Sequence, residues 1–451
     1  MLYRFLKVLI QITTRVFFRK IEVRNKSLIP SSGPMIICAN HPSTFMDPIV
    51  IAAQIKRPIY FLSKGALFKS KIAASLLSAL NMIPVHRQQD GPPKAGANED
   101  TFIKCYEHLE KGGVIMIFPE GVSLTERKLK EIKTGAARIA LGAEARNDFK
   151  LNVNVLCVGL NYQEPHKFNR DLFLNIEEPI DVSQYKVEYS NDTFKTAHSL
   201  TDKIRERMEK LIIDIEDEKT DELVHRIEEV YKPKLAKELV PEKQHDDFVI
   251  TKNIVDTVTY FKNSDPSRVE HVSAMVSSYF RNLERIGLSD KQLNSKEPSR
   301  SLALNNLKSF FFIVFGFPVY VYGLINNFLP FEIPSQLAKK IAPDKEYEGP
   351  MAMAFGIFTF ALFYTLQIMM IWKFSEDAVI TLIYAFTLPV SGFAAYYYWH
   401  KVAEIRSGWK LINLFYTRSA LVADLIQQRT AIIKEFDKAR AEWRETISSP
   451  L

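Results

Sequence analysis

The chain has 451 residues, 47% hydrophobic and 25% charged, which excludes a disordered or collagen-like polymer and, at this length, a single small binding module. Its formal net charge of +7 does not by itself call for nucleic acid, and no nucleic-acid partner is expected, since an anionic membrane or an anionic substrate fits that balance as well. The three widely spaced cysteines, Cys38, Cys105 and Cys157, build neither a disulfide framework nor a paired-cysteine zinc site, so a reducing cytoplasmic face is expected for the part that carries them.

Residues 1–20 contain Arg4, Lys7, Arg15, Arg19 and Lys20 and no acid, interleaved with Phe5, Leu9, Ile12, Val16 and Phe17. This pattern predicts a basic amphipathic helix. Five charges make a full span costly, so the helix is read as membrane-associated, lying in the interface with its basic side chains towards lipid phosphates. A first helix packed on the domain core is the alternative, because a hydrophobic stripe does not identify its burial partner. The segment lacks the long apolar stretch and cleavage site of a signal peptide.

From Gly33 to Pro179, short apolar runs alternate with helical patterns. The runs are Met35 to Ala39, Ile59 to Leu62, Met82 to Val85, Val114 to Phe118, Val153 to Leu160 and Leu172 to Ile176. Such alternation predicts an α/β sheet covered by helices, here assigned to residues 21–195. Polar signature residues fall just after the strands, where open α/β sheets place their ligand crevices. Because the pattern closes before residue 200, this domain is expected to fold without the C-terminal part. Residues 196–305 read as a helical extension, with Ile204, Met208, Leu211 and Ile215 at helical spacing.

Three uncharged runs follow, Ser309 to Phe331, Gly349 to Trp372 and Ala378 to Trp399, each of at least 22 residues. At about 1.5 Å per residue each exceeds the roughly 30 Å hydrocarbon core. Residues 306–400 are therefore read as two or three transmembrane segments. Pro318, Asn326, Asn327 and Pro330 would also suit a broken or re-entrant first segment. Residues 401–451 place Leu411, Leu414, Leu421, Leu425, Ile432 and Phe436 on one face of an amphipathic C-terminal helix.

The chemistry-bearing residues sit at strand ends. After the first run comes Asn40-His41-Pro42-Ser43-Thr44-Phe45-Met46-Asp47. A histidine released from a buried strand into a turn is well placed to act as a base, and a nearby carboxylate can hold its tautomer and stabilise the imidazolium. After the fourth run comes Phe118-Pro119-Glu120-Gly121-Val122-Ser123, whose glycine permits close backbone approach. Ile83-Pro84-Val85-His86-Arg87 puts a guanidinium at another strand end, where its fork suits a phosphate. Cys105 and His108 have no further ligands at metal spacing, so no metal is expected, nor any other cofactor.

This ordered set resembles the glycerolipid acyltransferase family, which acylates glycerol 3-phosphate or 1-acylglycerol 3-phosphate. The blocks are Asn40 to Asp47, Ile83 to Arg87, Phe118 to Ser123 and Val153 to Leu160, and the resemblance covers about residues 30–180. It implies an acyltransferase domain with a mixed sheet covered by helices, His41 as general base, Asp47 as its partner, and Asn40, Ser43, Arg87, Glu120, Gly121 and Ser123 at the acceptor site. Five residues separate His41 from Asp47 where the commoner pattern has four, and Val122-Ser123 replaces the usual Thr-Arg, so Lys130 or Lys133 would supply the missing charge. These features, with Gly159-Leu160-Asn161-Tyr162 and the C-terminal apolar runs, look like the branch of fungal glycerol 3-phosphate and dihydroxyacetone phosphate acyltransferases. The resemblance implies acyl-CoA or acyl-carrier protein as donor, a phosphorylated glycerol as acceptor, and membrane lipids as surroundings. The competing readings are a lysophospholipid acyltransferase with another polar acceptor and a catalytically silent lipid-binding membrane protein.

Overall fold

The computed structural model describes residues 2–68, 70–85, 97–238, 247–293 and 301–448. They group into two compact units, residues 1–214 with 334–357 and residues 215–333 with 358–451.

The first unit is built on an eight-stranded sheet. Its strands are β1 (Lys20–Arg24), β2 (Met35–Ala39), β3 (Tyr60–Lys64), β4 (Met82–Val85), β5 (Val114–Ile117), β6 (Asn154–Tyr162), β7 (Asp171–Ile176) and β8 (Ile180–Asp181). They lie in the order β1-β7-β6-β2-β5-β3-β4, with β8 also paired to β6. β6 runs antiparallel to β7 and β8, and the other pairs are parallel, so the sheet is mixed. All five residues of β2 are buried, as a strand covered on both faces requires. Successive side chains serve opposite cores: Met35, Ile37 and Ala39 one, Ile36 and Cys38 the other. The first face carries α1 (Leu2–Phe17) and α2 (Met46–Gln54); the second carries α4 (Ala97–Glu110), α5 (Gly135–Ala145) and α7 (Thr193–Leu211). A shorter α3 (Lys71–Ala79) and α6 (Lys186–Asn191) complete the set. β1 and β8 were not anticipated: β1 alternates charge with aliphatics and β8 has two residues, too little for a pattern.

Helix α1 packs on the domain, the second of the two readings of the N-terminal segment. Lys7 Nζ donates to the carbonyls of Ile55, at 2.6 Å, and Lys56, at 3.0 Å, where the end of α2 leaves acceptors unpaired. Gln11 Nε2 donates to the Ala53 carbonyl at 3.0 Å. Arg19 binds Asp171 and Lys20 binds Glu22, so three of the basic groups expected at lipid phosphates have partners inside the domain. Phe5, Val8, Ile12 and Val16 nonetheless form an exposed apolar stripe along the same helix.

Closure of the α/β unit before residue 200 is incomplete. Residues 334–357 belong to it, and Met353 lies in the core cluster of β2 and β6. The contact depends on Gly349: an added Cβ would stand 2.4 Å from the Pro165 carbonyl oxygen, so only glycine lets the chain approach.

The second unit is helical, comprising α8 (Glu218–Glu238), α9 (Asp247–Ser264), α10 (Pro266–Ile286), α11 (Asp290–Leu293), parts of α12 (Ser301–Ile341) and α13 (Lys345–Ser375), α14 (Ala378–Thr417) and α15 (Ser419–Ser448). Asp290 is fully buried and is neutralised by Arg429 at 2.7 Å while accepting from the Tyr279 hydroxyl at 2.6 Å. Three helical stretches, Lys308–Ile341, Lys345–Ser375 and Ala378–Arg406, are long and apolar enough to cross a membrane. The first is one continuous helix, not a broken one. Pro330 has no N–H, which frees the Asn326 carbonyl, and Gln367 Nε2 donates to it at 2.9 Å. Pro334 likewise frees the Pro330 carbonyl, which accepts from Thr359 Oγ1 at 2.9 Å. The neighbouring helix thus repairs the ladder where Pro330 and Pro334 interrupt it. The helix of the third stretch runs on to Thr417, and the chain breaks at Arg418 before α15.

Candidate active site

Parallel pairing places the site. β2 lies between β5 and β6, with Cys38 opposite both Ile117 and Cys157, so the turn after β2 and the turn after β5 emerge side by side. Asn40 continues the sheet with its side chain: Nδ2 donates to the Leu160 carbonyl at 2.9 Å and Oδ1 accepts from Leu160 N at 2.7 Å. Asn40, expected at the acceptor site, thus clasps β2 to β6 through its amide.

His41 follows, its ring stacked on Phe118 with centroids 4.0 Å apart. Its Nδ1 lies 2.8 Å from Asp47 Oδ2. The longer spacing between the two is absorbed in the turn, where Thr44 adopts φ 41° and α2 begins at Met46, putting Asp47 in its first turn. Asp47 is fully buried. It accepts from Ser43 N at 2.8 Å and from the Tyr162 hydroxyl at 2.7 Å as well as meeting His41. A buried carboxylate needs such donors to remain an anion. Burial and the Asp47 charge push the Tyr162 hydroxyl well above its ordinary range, so it stays a donor. With Nδ1–H on Asp47, the imidazole presents Nε2 as an acceptor, and no group among the described residues bonds it.

Glu120 joins the two turns. Oε1 accepts from His41 N at 2.9 Å and Oε2 from Lys130 N at 3.0 Å. Burial raises its pKa, opposed by those two backbone donors. Further bonds close the seam: Leu124 N to the His41 carbonyl, Thr44 N to Ser123 Oγ and Thr125 Oγ1 to the Pro42 carbonyl. Glu120 and Ser123, expected at the acceptor, therefore hold the histidine turn in place. Ser43 Oγ is buried with no hydrogen-bond partner among the described residues. Gly121 has φ +71°, and a Cβ there would stand 3.1 Å from Lys133 Nζ, which places that amine over the glycine backbone. The Lys130 amine pairs with Glu126. Arg87 lies outside the described residues.

Tyr162 and Phe118 were not assigned roles from the sequence. A tyrosine ending an apolar strand was the available signal for the first, and the place of Phe118 at the head of the Phe118 to Ser123 block for the second. Residues of α13 also reach this region. The Thr44 hydroxyl lies 3.5 Å from the Glu346 carbonyl, and Gly349 meets Pro165 and His166. All three cysteines are buried and free; burial pushes the Cys105 and Cys157 thiols up to about 12, which makes them poor nucleophiles. Among the described residues no three His, Cys, Asp or Glu side chains gather as a metal-ligand set.

Residues 20–159 match the family model described as Acyltransferase. Over 208 residues the chain is 30% identical to glycerol-3-phosphate O-acyltransferase 2 of Saccharomyces cerevisiae, covering 46% of this chain and 27% of that protein. Over 420 residues it is 23% identical to glycerol-3-phosphate O-acyltransferase 1 of the same yeast, covering 73% and 54%. Over 121 residues it is 31% identical to 1-acyl-sn-glycerol-3-phosphate acyltransferase of Bacillus subtilis, covering 27% and 56%. The chain thus spans between about a quarter and about half the length of these yeast relatives.

Proposed function

We propose that the acyltransferase domain over residues 20–159 moves a fatty acyl group from a thioester donor, acyl-CoA or acyl-carrier protein, to the hydroxyl of glycerol 3-phosphate at a membrane surface. The observation that carries this reading is His41 Nδ1 held 2.8 Å from a fully buried Asp47, with Nε2 left as an acceptor. Nε2 takes the proton of the acceptor hydroxyl as its oxygen attacks the thioester carbonyl. Asp47 stabilises the imidazolium that forms. When the tetrahedral adduct collapses, the C–S bond breaks and the imidazolium returns its proton to the leaving thiolate. No covalent acyl-enzyme is needed.

The acceptor phosphate is assigned to Lys133 and Arg87. Lys133 is supported by its place over the Gly121 backbone. The apolar stripe of α1 and the three membrane-length helices support a domain resting on the bilayer. The buried free thiols support a reducing, cytoplasmic side for it.

The test offers purified full-length protein a labelled palmitoyl thioester with glycerol 3-phosphate, dihydroxyacetone phosphate or 1-acylglycerol 3-phosphate separately. Labelled product with glycerol 3-phosphate is expected. Transfer only to 1-acylglycerol 3-phosphate moves the reading to the activity named for the Bacillus relative, and no transfer to any phosphorylated acceptor overturns it.

A further inference from the structure

A cavity of about 480 Å³ lies among α4, α5, α6 and α7, on the sheet face opposite α2. Its wall is aromatic and basic, with Phe102, Tyr106, Tyr189 and Phe194 alongside Arg138 and His198. The wall is built rather than incidental. The Tyr106 hydroxyl stands 2.3 Å from where a Cβ on Gly142 would be, so that ring occupies its position only because residue 142 has no side chain. The Arg138 guanidinium lies over the Phe102 ring at 5.1 Å, and it forms no ion pair among the described residues. Phe194 is exposed at the rim, on the first turn of α7, where the Asp192 cap fixes its backbone at 3.0 Å. An exposed ring beside a cavity is apolar surface without a partner.

The cavity also begins beside the candidate active site. Thr134, in its wall, directly follows Lys133, whose backbone N–H donates to the Pro119 carbonyl at 3.0 Å. From there the wall follows α5 to Leu141, about 10 Å at the helical rise. A ligand with one end at His41 can therefore lay its other end among these rings.

We propose that this cavity takes the phosphorylated adenosine end of a coenzyme A thioester. The purine stacks on the aromatic rings and Arg138 binds a phosphate of the nucleotide. The inference rests on the acyl-transfer reading above and deepens it. An acyl-carrier protein has the same phosphopantetheine arm but no purine, so the cavity selects the coenzyme A form of the donor.

The experiment uses full-length protein in detergent and compares palmitoyl-CoA with palmitoyl-pantetheine, which has the thioester but no nucleotide. The wild type is expected to show a much lower KM for palmitoyl-CoA, and adenosine 3′,5′-bisphosphate is expected to compete with it. Arg138→Ala should narrow the ratio of the two KM values by roughly tenfold, the scale of one charge-assisted contact. Arg138→Lys should restore part of the ratio, and Phe194→Ala should weaken bisphosphate binding in calorimetry. Loss of both KM values together would mean a scaffold role for Arg138, and an unchanged ratio would mean that the nucleotide lies elsewhere; either overturns the inference while acyl transfer stands. If the wild type transfers no acyl group at all, the proposed function fails instead. Calorimetry with the bisphosphate alone then still decides the cavity: binding weakened by Arg138→Ala supports it, and absence of binding refutes it.

Discussion

Replacing Asp47 by asparagine isolates what the buried carboxylate contributes. Asp47 meets His41 Nδ1 at 2.8 Å and Ser43 N at 2.8 Å through one oxygen, and the Tyr162 hydroxyl at 2.7 Å through the other. Asparagine can sit there in two ways. With its NH2 towards His41 and Ser43, a donor faces the Ser43 N–H, and the imidazole must accept at Nδ1, which moves its proton to Nε2 and removes the base. With its oxygen towards them, the tautomer survives and Tyr162 takes the NH2, but the charge is gone. The charge alone is worth about 4 kcal/mol for unit charges roughly 4 Å apart at an effective dielectric constant near 20. That corresponds to about 10³ in rate. Both arrangements therefore lower kcat by about 10³ or more, while the lost donor pairing costs about 1 to 3 kcal/mol of stability. The assay measures kcat for labelled acyl transfer alongside the thermal midpoint of the same detergent-solubilised sample. A folded Asp47→Asn protein with kcat within about threefold of the wild type would refute the assignment of Asp47, because neither arrangement leaves an intact charged pair.

Three further outcomes follow from the packing and the charges. The Glu120 carboxyl titrates above its ordinary range, chiefly because it is buried, so the native state keeps that proton to higher pH than the unfolded chain; the stabilisation is full below the ordinary carboxylate range and is lost as pH rises through the raised native value. Glu120→Gln should flatten that part of the stability curve, read as thermal midpoints between about pH 4 and 7, and an unchanged slope would contradict it. Met353→Ala should destabilise the α/β unit by about 2 to 5 kcal/mol, because the side chain is buried with β2 and β6; denaturation of the full chain followed by loss of activity checks this. Asn327→Leu should destabilise the helical unit by about 1 to 2 kcal/mol, since Nδ2 donates to the Gly323 and Leu388 carbonyls and Oδ1 accepts from Tyr364, and the fall in thermal midpoint in a circular-dichroism melt in detergent measures it.

Strand cores and strand-end motifs were readable because each is local. A run such as Met35–Ala39 is apolar at every position, as a strand covered on both faces must be, and the polar turn after it marks the strand end. The meeting of His41 with Asp47 was readable only as a pairing, because the turn geometry depends on Thr44 entering the left-handed region, which a threonine does not announce. Asn40, Glu120 and Ser123 were legible as polar residues at the right place, but not as braces. Their partners, Leu160, Lys130 and Thr44, bond through backbone atoms that every residue carries. Met353 and Gly349 were hidden because they begin a long apolar helix, where burial against the sheet and burial in lipid leave the same composition. The prolines of α12 misled in the opposite sense, since the side chains that receive the freed carbonyls, Gln367 and Thr359, come from a different helix.

The most direct measurement is product formation by His41→Ala in the purified full chain, set beside the wild type with palmitoyl-CoA and glycerol 3-phosphate. General-base removal should lower turnover by about 10² to 10⁴, while the protein stays folded at a stability cost of about 1 to 3 kcal/mol, because Asp47 keeps the Ser43 N–H and the Tyr162 hydroxyl as donors. Near-wild-type turnover by that folded variant would contradict the account.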